Sequence, residues 1–225
     1  MNSSSYFEQF NIVWLFGLTN STIMMIFVIV VVLLLFKGIE LIPKRWQSVY
    51  EFIESYFYYI TVQNLGNVGL RYFSFIVSLF VFLVFLNIFG LCPYVFTPTT
   101  HIVVTLGFSF SIVIGVTFSG FIKFKQDFVS LLMPTGAPLS LAPLLIFIET
   151  VSYVSRAVSL GVRLAANLSA GHLLFAILAS FGLVLKLAVF IMVFITLLEI
   201  AVAIIQAYVY CLLTLIYLID SFILH

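Results

Sequence analysis

The sequence predicts an all-α integral membrane protein, with about five membrane helices and one interfacial amphipathic helix, on three observations. Of its 225 residues, 64% are hydrophobic and only 8% are charged, and the mean hydropathy is +1.30. An ordinary soluble domain is ~45–50% apolar and ~25% charged, so a soluble globular fold is excluded. Charge is also missing over long stretches, from Glu8 to Lys37, Arg71 to Lys123 and Asp127 to Glu149. A helix crosses a hydrocarbon core of ~30 Å with ~20 apolar residues, and these stretches are long enough to supply several. Finally, proline-bearing turns and small polar breaks divide the apolar chain without any internal repeat or linker, which makes residues 1–225 a single membrane domain. Nine basic and eight acidic residues leave a net charge of +1, far from the basic excess of a nucleic-acid binder.

Residues 1–20 form an N-terminal tail whose Asn2 to Ser5 are polar and which lacks the basic start and small-residue cleavage site of a signal peptide. The first span is 21–36. In 44–64 the pattern changes: Lys44, Gln47, Ser48, Glu51, Glu54, Ser55 and Tyr58 recur at helical spacing opposite Trp46, Val49, Tyr50, Ile53, Phe57 and Ile60. This is an amphipathic helix, lying either in the membrane interface or on other protein. Two spans follow, 72–92 and 101–122, parted by Cys92-Pro93 and by Thr97-Pro98-Thr99-Thr100, because proline lacks a backbone donor and restricts its predecessor. Beyond the loop from Met133 to Pro138, 140–180 and 183–220 are helix-compatible around a break at Ser180-Phe181-Gly182. As helix each would be ~60 Å long, twice the hydrocarbon thickness. Either each splits into two short spans, or both lie steeply tilted as a hairpin. Lys37, Lys44, Arg45 and Arg71 flank the first connection and Lys123 with Lys125 the third, which places the N-terminus on the opposite side by the positive-inside rule. Cys92 and Cys211 show no disulfide or metal-ligand spacing and read as small buried hydrophobes.

The informative charges lie in the last ninety residues. The first long segment carries Glu149, Arg156, Arg163 and His172, and the second carries Lys186, Glu199, Gln206 and Asp220. An ionisable group at mid-bilayer costs at least ~2.5 kcal/mol and usually marks an ion pathway. Glu149, Arg156 and Arg163 recur every seven residues, as do Glu199 and Gln206, with Asp220 in the same frame. His172, nine residues past Arg163, points to the opposite side of the helix. Small residues surround Arg163 (Ser155, Ser159, Gly161, Ala165, Ala166, Ser169, Ala170 and Gly171) and admit a neighbouring helix closely. Arginine stays protonated and passes no proton on, but it attracts a carboxylate and favours its charged form. Histidine and glutamate exchange protons near neutral pH. The structural alternatives are an Arg163–Glu199 ion pair, an Arg156 that only pairs with Glu149 or snorkels, a satisfied interior His172, a snorkelling Lys186 and an Asp220 that caps the chain's exit into water. His101 and His225 read as exposed, and no histidine pair suits a haem. A secondary transporter would show inverted repeats with paired interrupted helices, and neither is visible.

The stretch from Ser155 to Leu174, SRAVSLGVRLAANLSAGHLL, resembles the signature of subunit a of the F-type ATP synthase family, with Ser159, Leu160, Arg163, Leu164, Asn167, Ala170 and Gly171 in register. Leu198 to Tyr210 resembles that family's last helix, and Asn87 to Pro93 also matches. The resemblance implies a proton-translocating stator subunit beside a ring of c subunits, with the two long helices tilted against the ring as a hairpin. It implies that Arg163 faces the ring carboxylates and separates two aqueous half-channels. His172, Glu199, Asn167 and Gln206 match positions of the intermembrane-side half-channel and ring-facing surface, and Glu149 and Asp220 match positions near the matrix-side half-channel. Bacterial relatives commonly carry glutamate where this chain has His172 and histidine where it has Glu199, so the exchanged pair here looks mitochondrial. The implied setting is the mitochondrial inner membrane, with the N-terminus toward the intermembrane space and the C-terminus toward the matrix. The implied partners are the c ring, the peripheral stalk, other membrane subunits and the lipid bilayer. No cofactor is implied, and the sequence has no Gly-rich phosphate loop with which to bind nucleotide itself.

Overall fold

The computed structural model describes residues 10–15, 17–36, 45–66, 69–92, 95–124, 142–182 and 186–222. The Met133–Pro138 loop, Lys37, Lys44, Lys125 and His225 lie outside them, and so does the side chain of Lys186. Among the described residues the fold is helical apart from one two-residue ladder, in which Trp14–Leu15 pairs antiparallel with Leu18–Thr19. That ladder occupies the tail and leads directly into α1, Asn20–Phe36. The Thr19 hydroxyl accepts the Thr22 backbone N–H at 3.5 Å and thereby satisfies one of the donors that every helix start leaves free.

The next helix, α2 (Arg45–Leu65), buries only a narrow stripe, Phe57, Thr61 and Leu65. Phe57 meets Phe80 of α3 (Gly69–Gly90) at 5.0 Å between ring centroids, and the Tyr56 and Tyr208 hydroxyls lie 2.6 Å apart. Val49, Phe52 and Tyr59 stay exposed. The helix therefore packs on protein along one edge while presenting a broad aromatic surface outward, as an interfacial helix does.

After α3 the chain turns through the buried 3₁₀ segment Pro98–Thr100 into α4, Ile102–Phe124. Cys92 in this turn is exposed, which corrects the expectation of a buried thiol, whereas Cys211 is buried. The last two helices are continuous: α5 spans Ala142–Gly182 with 41 residues, and α6 spans Lys186–Phe222 with 37. Neither splits into two short spans. At 1.5 Å per residue they run ~55–60 Å, so a hydrocarbon core of ~30 Å contains them only when they are steeply inclined. Among the described residues, four helices (α3, α4, α5 and α6) are long and apolar enough to cross a membrane, and the apolar α1 has 17 residues.

The core lies where α3, α4, α5 and the second half of α6 meet. Ile76, Leu83, Leu160, Leu164, Leu215 and Leu218 are among its most buried members. One close approach sets the α4–α5 spacing: a Cβ at Gly161 would stand 3.0 Å from the Thr105 carbonyl oxygen and 2.8 Å from the Ser109 hydroxyl. Ala157 and Ala165, both fully buried, belong to the same inward side. By contrast, the first half of α6 presents Phe190, Val193, Phe194, Leu197 and Leu198 outward.

Candidate functional site

The expected site residues fall on α5 and α6, which run antiparallel against each other. Three cross-helix contacts set their register. A Cβ at Gly171 would lie 2.7 Å from Glu199 Oε1, so Glu199 rests directly on the α5 backbone. Four residues earlier on α5, the Asn167 amide donates to Gln206 Oε1 at 3.3 Å. Near the other end, Arg156 Nη1 stands 3.6 Å from Asp220 Oδ2. The heptad spacing of Glu199, Gln206 and Asp220 is what aligns all three with one side of α5.

These contacts form two separate polar clusters. The first gathers Asn167, His172, Glu199 and Gln206, with His172 set against the Gly90 backbone and meeting the Phe10 ring edge-on at 6.4 Å. Asn87 of α3 joins this region, donating to the Ala203 carbonyl at 3.2 Å. Its buried polar atoms are under-satisfied: Asn87 Oδ1, His172 Nε2, Glu199 Oε1 and Gln206 Nε2 have no hydrogen-bond partner among the described residues. So do Thr99 Oγ1 and His101 Nε2 in the adjoining turn. His101 is therefore half-buried and stacked on Phe96 at 5.5 Å, which corrects the expectation that it is exposed. Buried polar groups normally have partners, and these atoms are left with hydrogen-bonding capacity that bound water could take up.

The second cluster centres on Arg156. Its guanidinium bonds Glu149 Oε1 at 3.3 Å, reaches Asp220 at 3.6 Å and lies 5.8 Å from the ring centroids of both Tyr153 and Tyr217. Those two rings meet edge-on at 5.0 Å. Arg156 thus joins both acids expected near the matrix side. The seven-residue spacing revealed its link to Glu149, but the link to Asp220 depends on the antiparallel register, which no local pattern carries.

Arg163 stands between the clusters and belongs to neither. Along α5 it is ~10 Å from Arg156 and ~13 Å from His172. It is exposed and forms no ion pair among the described residues, so the alternative of an Arg163–Glu199 pair is not what the fold builds. Ser155, Ser159, Val162, Ala166 and Ala170 share its exposed surface, a strip of short side chains along α5. The small residues expected around Arg163 therefore divide by face: Gly161 and Ala165 are buried, with Gly161 set against α4, Gly171 seats Glu199, and Ser155, Ser159, Ala166 and Ala170 leave the arginine's side open. Between the clusters the buried positions are mostly apolar (Leu160, Leu164, Ala207, Cys211 and Leu215), and the hydroxyl of buried Thr214 is taken up by the Tyr210 carbonyl at 2.9 Å. Tyr210, buried in the same layer, donates to Ser109 at 3.4 Å.

No group of three or more metal-ligating side chains occurs among the described residues. The arrangement is suited to moving protons through water and side chains.

The family described as ATP synthase A chain matches residues 18–219. ATP synthase subunit a of Metridium senile is 61% identical over 230 residues, covering 99% of each chain. ATP synthase subunit a of Marchantia polymorpha is 42% identical, covering 97% of this chain and 98% of its own, and that of Oenothera berteroana is 40% identical, covering 100% and 91%.

Proposed function

Since this chain belongs to the ATP synthase A chain family, we propose that it is the non-catalytic stator subunit that conducts protons to and from a ring of c subunits. The observation that carries this reading is the separation of two polar clusters by a mostly apolar layer, with an exposed Arg163 that has no ion pair among the described residues between them. The proposed inlet is the Asn167–His172–Glu199–Gln206 cluster, opening to the intermembrane space. The proposed outlet is the Glu149–Arg156–Asp220 cluster, opening to the matrix. The setting is the mitochondrial inner membrane, with the N-terminus toward the intermembrane space and the C-terminus toward the matrix. Its other partners are the peripheral stalk and the remaining membrane subunits.

The mechanism follows from the cost of charge in lipid. A proton delivered through the inlet neutralises a ring carboxylate, which can then turn into the bilayer, where the ionised form would be several kcal/mol too costly. After nearly a full turn the carboxyl reaches the outlet and releases its proton beside Arg163, whose fixed charge favours the carboxylate. The same charge blocks a proton from passing straight between the two paths. Each proton moving down ~100 mV supplies ~2.3 kcal/mol, so several are needed for each ATP.

Arg163→Ala, assembled into the complex and reconstituted in vesicles, tests the assignment. ATP-driven acidification should fall to background while the complex remains intact by co-purification. Normal pumping by an assembled R163A complex would remove Arg163 from the mechanism.

A further inference from the structure

A cavity of about 910 Å³ lies outside both polar clusters, between α1, α3 and α4. That is within the ~300–1,000 Å³ of ordinary ligand sites. Its lining is almost wholly apolar. Ser78, Ser111 and Ser119 do face it, but their hydroxyls donate to the carbonyls of Phe75, Phe108 and Val116 at 2.9, 2.8 and 2.7 Å, so they ask nothing of an occupant.

Its length and its two ends specify the occupant. The cavity runs along α3 from Tyr72 to Leu83 and along α4 from Phe108 to Ser119. Each stretch covers ~16 Å, about half of a ~30 Å hydrocarbon core and so the depth of one leaflet. The deep end is closed by Phe82 and Phe108, whose rings lie 6.1 Å apart. A partner's transmembrane helix would have to continue through that floor. At the other end the Tyr72 ring sits 5.1 Å from Phe222, and Lys123 Nζ lies 4.7 Å from the centroid of the same Phe222 ring. Lys123 is exposed and forms no ion pair among the described residues.

An apolar slot one leaflet deep, with a cation at its mouth, matches one molecule with a tail and a phosphate. We infer that this groove holds an acyl chain of an anionic phospholipid whose phosphate pairs with Lys123. Basic pockets between membrane helices recognise anionic headgroups in this way.

The assembled complex, reconstituted in phosphatidylcholine vesicles with a trace of photoactivatable phosphatidylglycerol or photoactivatable phosphatidylcholine, provides the test. Phosphatidylglycerol should label the α3 and α4 peptides that line the cavity. Lys123→Gln should lower that labelling about five-fold, the effect of one lysine on an anionic lipid, and Lys123→Arg should restore it. Gly115 lines the cavity, and a Cβ there meets nothing within 4 Å. Gly115→Leu should therefore fill the space without forcing the helices apart and should abolish labelling by both lipids. Equal labelling by the two lipids with no response to K123Q, or labelling that G115L leaves unchanged, would overturn the site. Crosslinks from these peptides to a partner protein in place of lipid would overturn it as well.

Discussion

The two polar clusters that flank Arg163 are built in opposite ways. Around Arg156 every strong charge has a counter-charge: one guanidinium holds two carboxylates at 3.3 and 3.6 Å. Around Glu199 there is one carboxylate, no cation among its described neighbours, and a set of amide and imidazole atoms left without partners. Ion pairs resist rearrangement, because moving one member leaves the other uncompensated. Unpartnered polar atoms recruit water, and water moves protons. On the proposed mechanism, a proton crossing the Arg156 cluster has to loosen a pair, whereas one crossing the Glu199 cluster needs only a wet path to one carboxyl. In that reading the two sides of Arg163 differ in what limits transfer.

Removing the one carboxylate of the wet side is the strongest way to test that contrast. Glu199→Gln keeps the shape and the contact with Gly171 but eliminates the proton-accepting group. Proton flux driven by ATP hydrolysis in vesicles should fall ~100-fold, the usual scale for losing a positioned acid–base group, with assembly unchanged. An unaltered flux would reduce Glu199 to a packing residue and leave the two clusters functionally alike.

A smaller effect is expected on the paired side. Arg156→Gln breaks both ion pairs, but the three side chains are 35–49% exposed, so water compensates much of the loss and stability should change by no more than ~1 kcal/mol. Flux should fall about ten-fold, since Glu149 and Asp220 are left as neighbouring like charges. Arg156→Lys should recover part of it, because a lysine ammonium can satisfy one carboxylate but lacks the forked geometry that reaches two. Equal fluxes for the Gln and Lys variants would show that the pairing itself does not matter.

Much of this organisation was legible in the sequence because lipid makes charge expensive. The uncharged runs mark α1, α3 and α4, and the heptad spacing of Glu149, Arg156 and Arg163 sets them near one side of α5. Where the reading stopped, the missing information was tertiary. That Arg156 meets Asp220, 64 positions along the chain, depends on how two helices slide past each other. Asn87 enters the Glu199 region through a backbone carbonyl of α6, which has no sequence signature. A histidine in a Pro-Thr turn reads as exposed, yet the turn that holds His101 is folded inward and its Thr99 and Thr100 are buried. The small residues around Arg163 were visible as a group, but dividing them into a packed set and an open set required knowing where α4 and α6 lie.

Two of those small residues provide the finest probe of the comparison. At Gly161 an added methyl would meet the Thr105 carbonyl oxygen at 3.0 Å, and backbone does not step aside; Gly161→Ala must push α4 from α5 and should lower the yield of assembled complex. At Gly171 the obstacle is the Glu199 carboxyl, at the end of a flexible side chain, which can swing away by rotating about its own bonds. Gly171→Ala should therefore assemble normally and slow flux only a few-fold, because the carboxyl stays in the wet cluster but leaves its seat. Combining it with Glu199→Gln separates the causes. If the methyl acts only by moving that carboxylate, the double variant should be no slower than Glu199→Gln alone. An additive loss would mean that Gly171 keeps the water path open by itself, and the inlet would then depend on backbone shape as much as on its one acid.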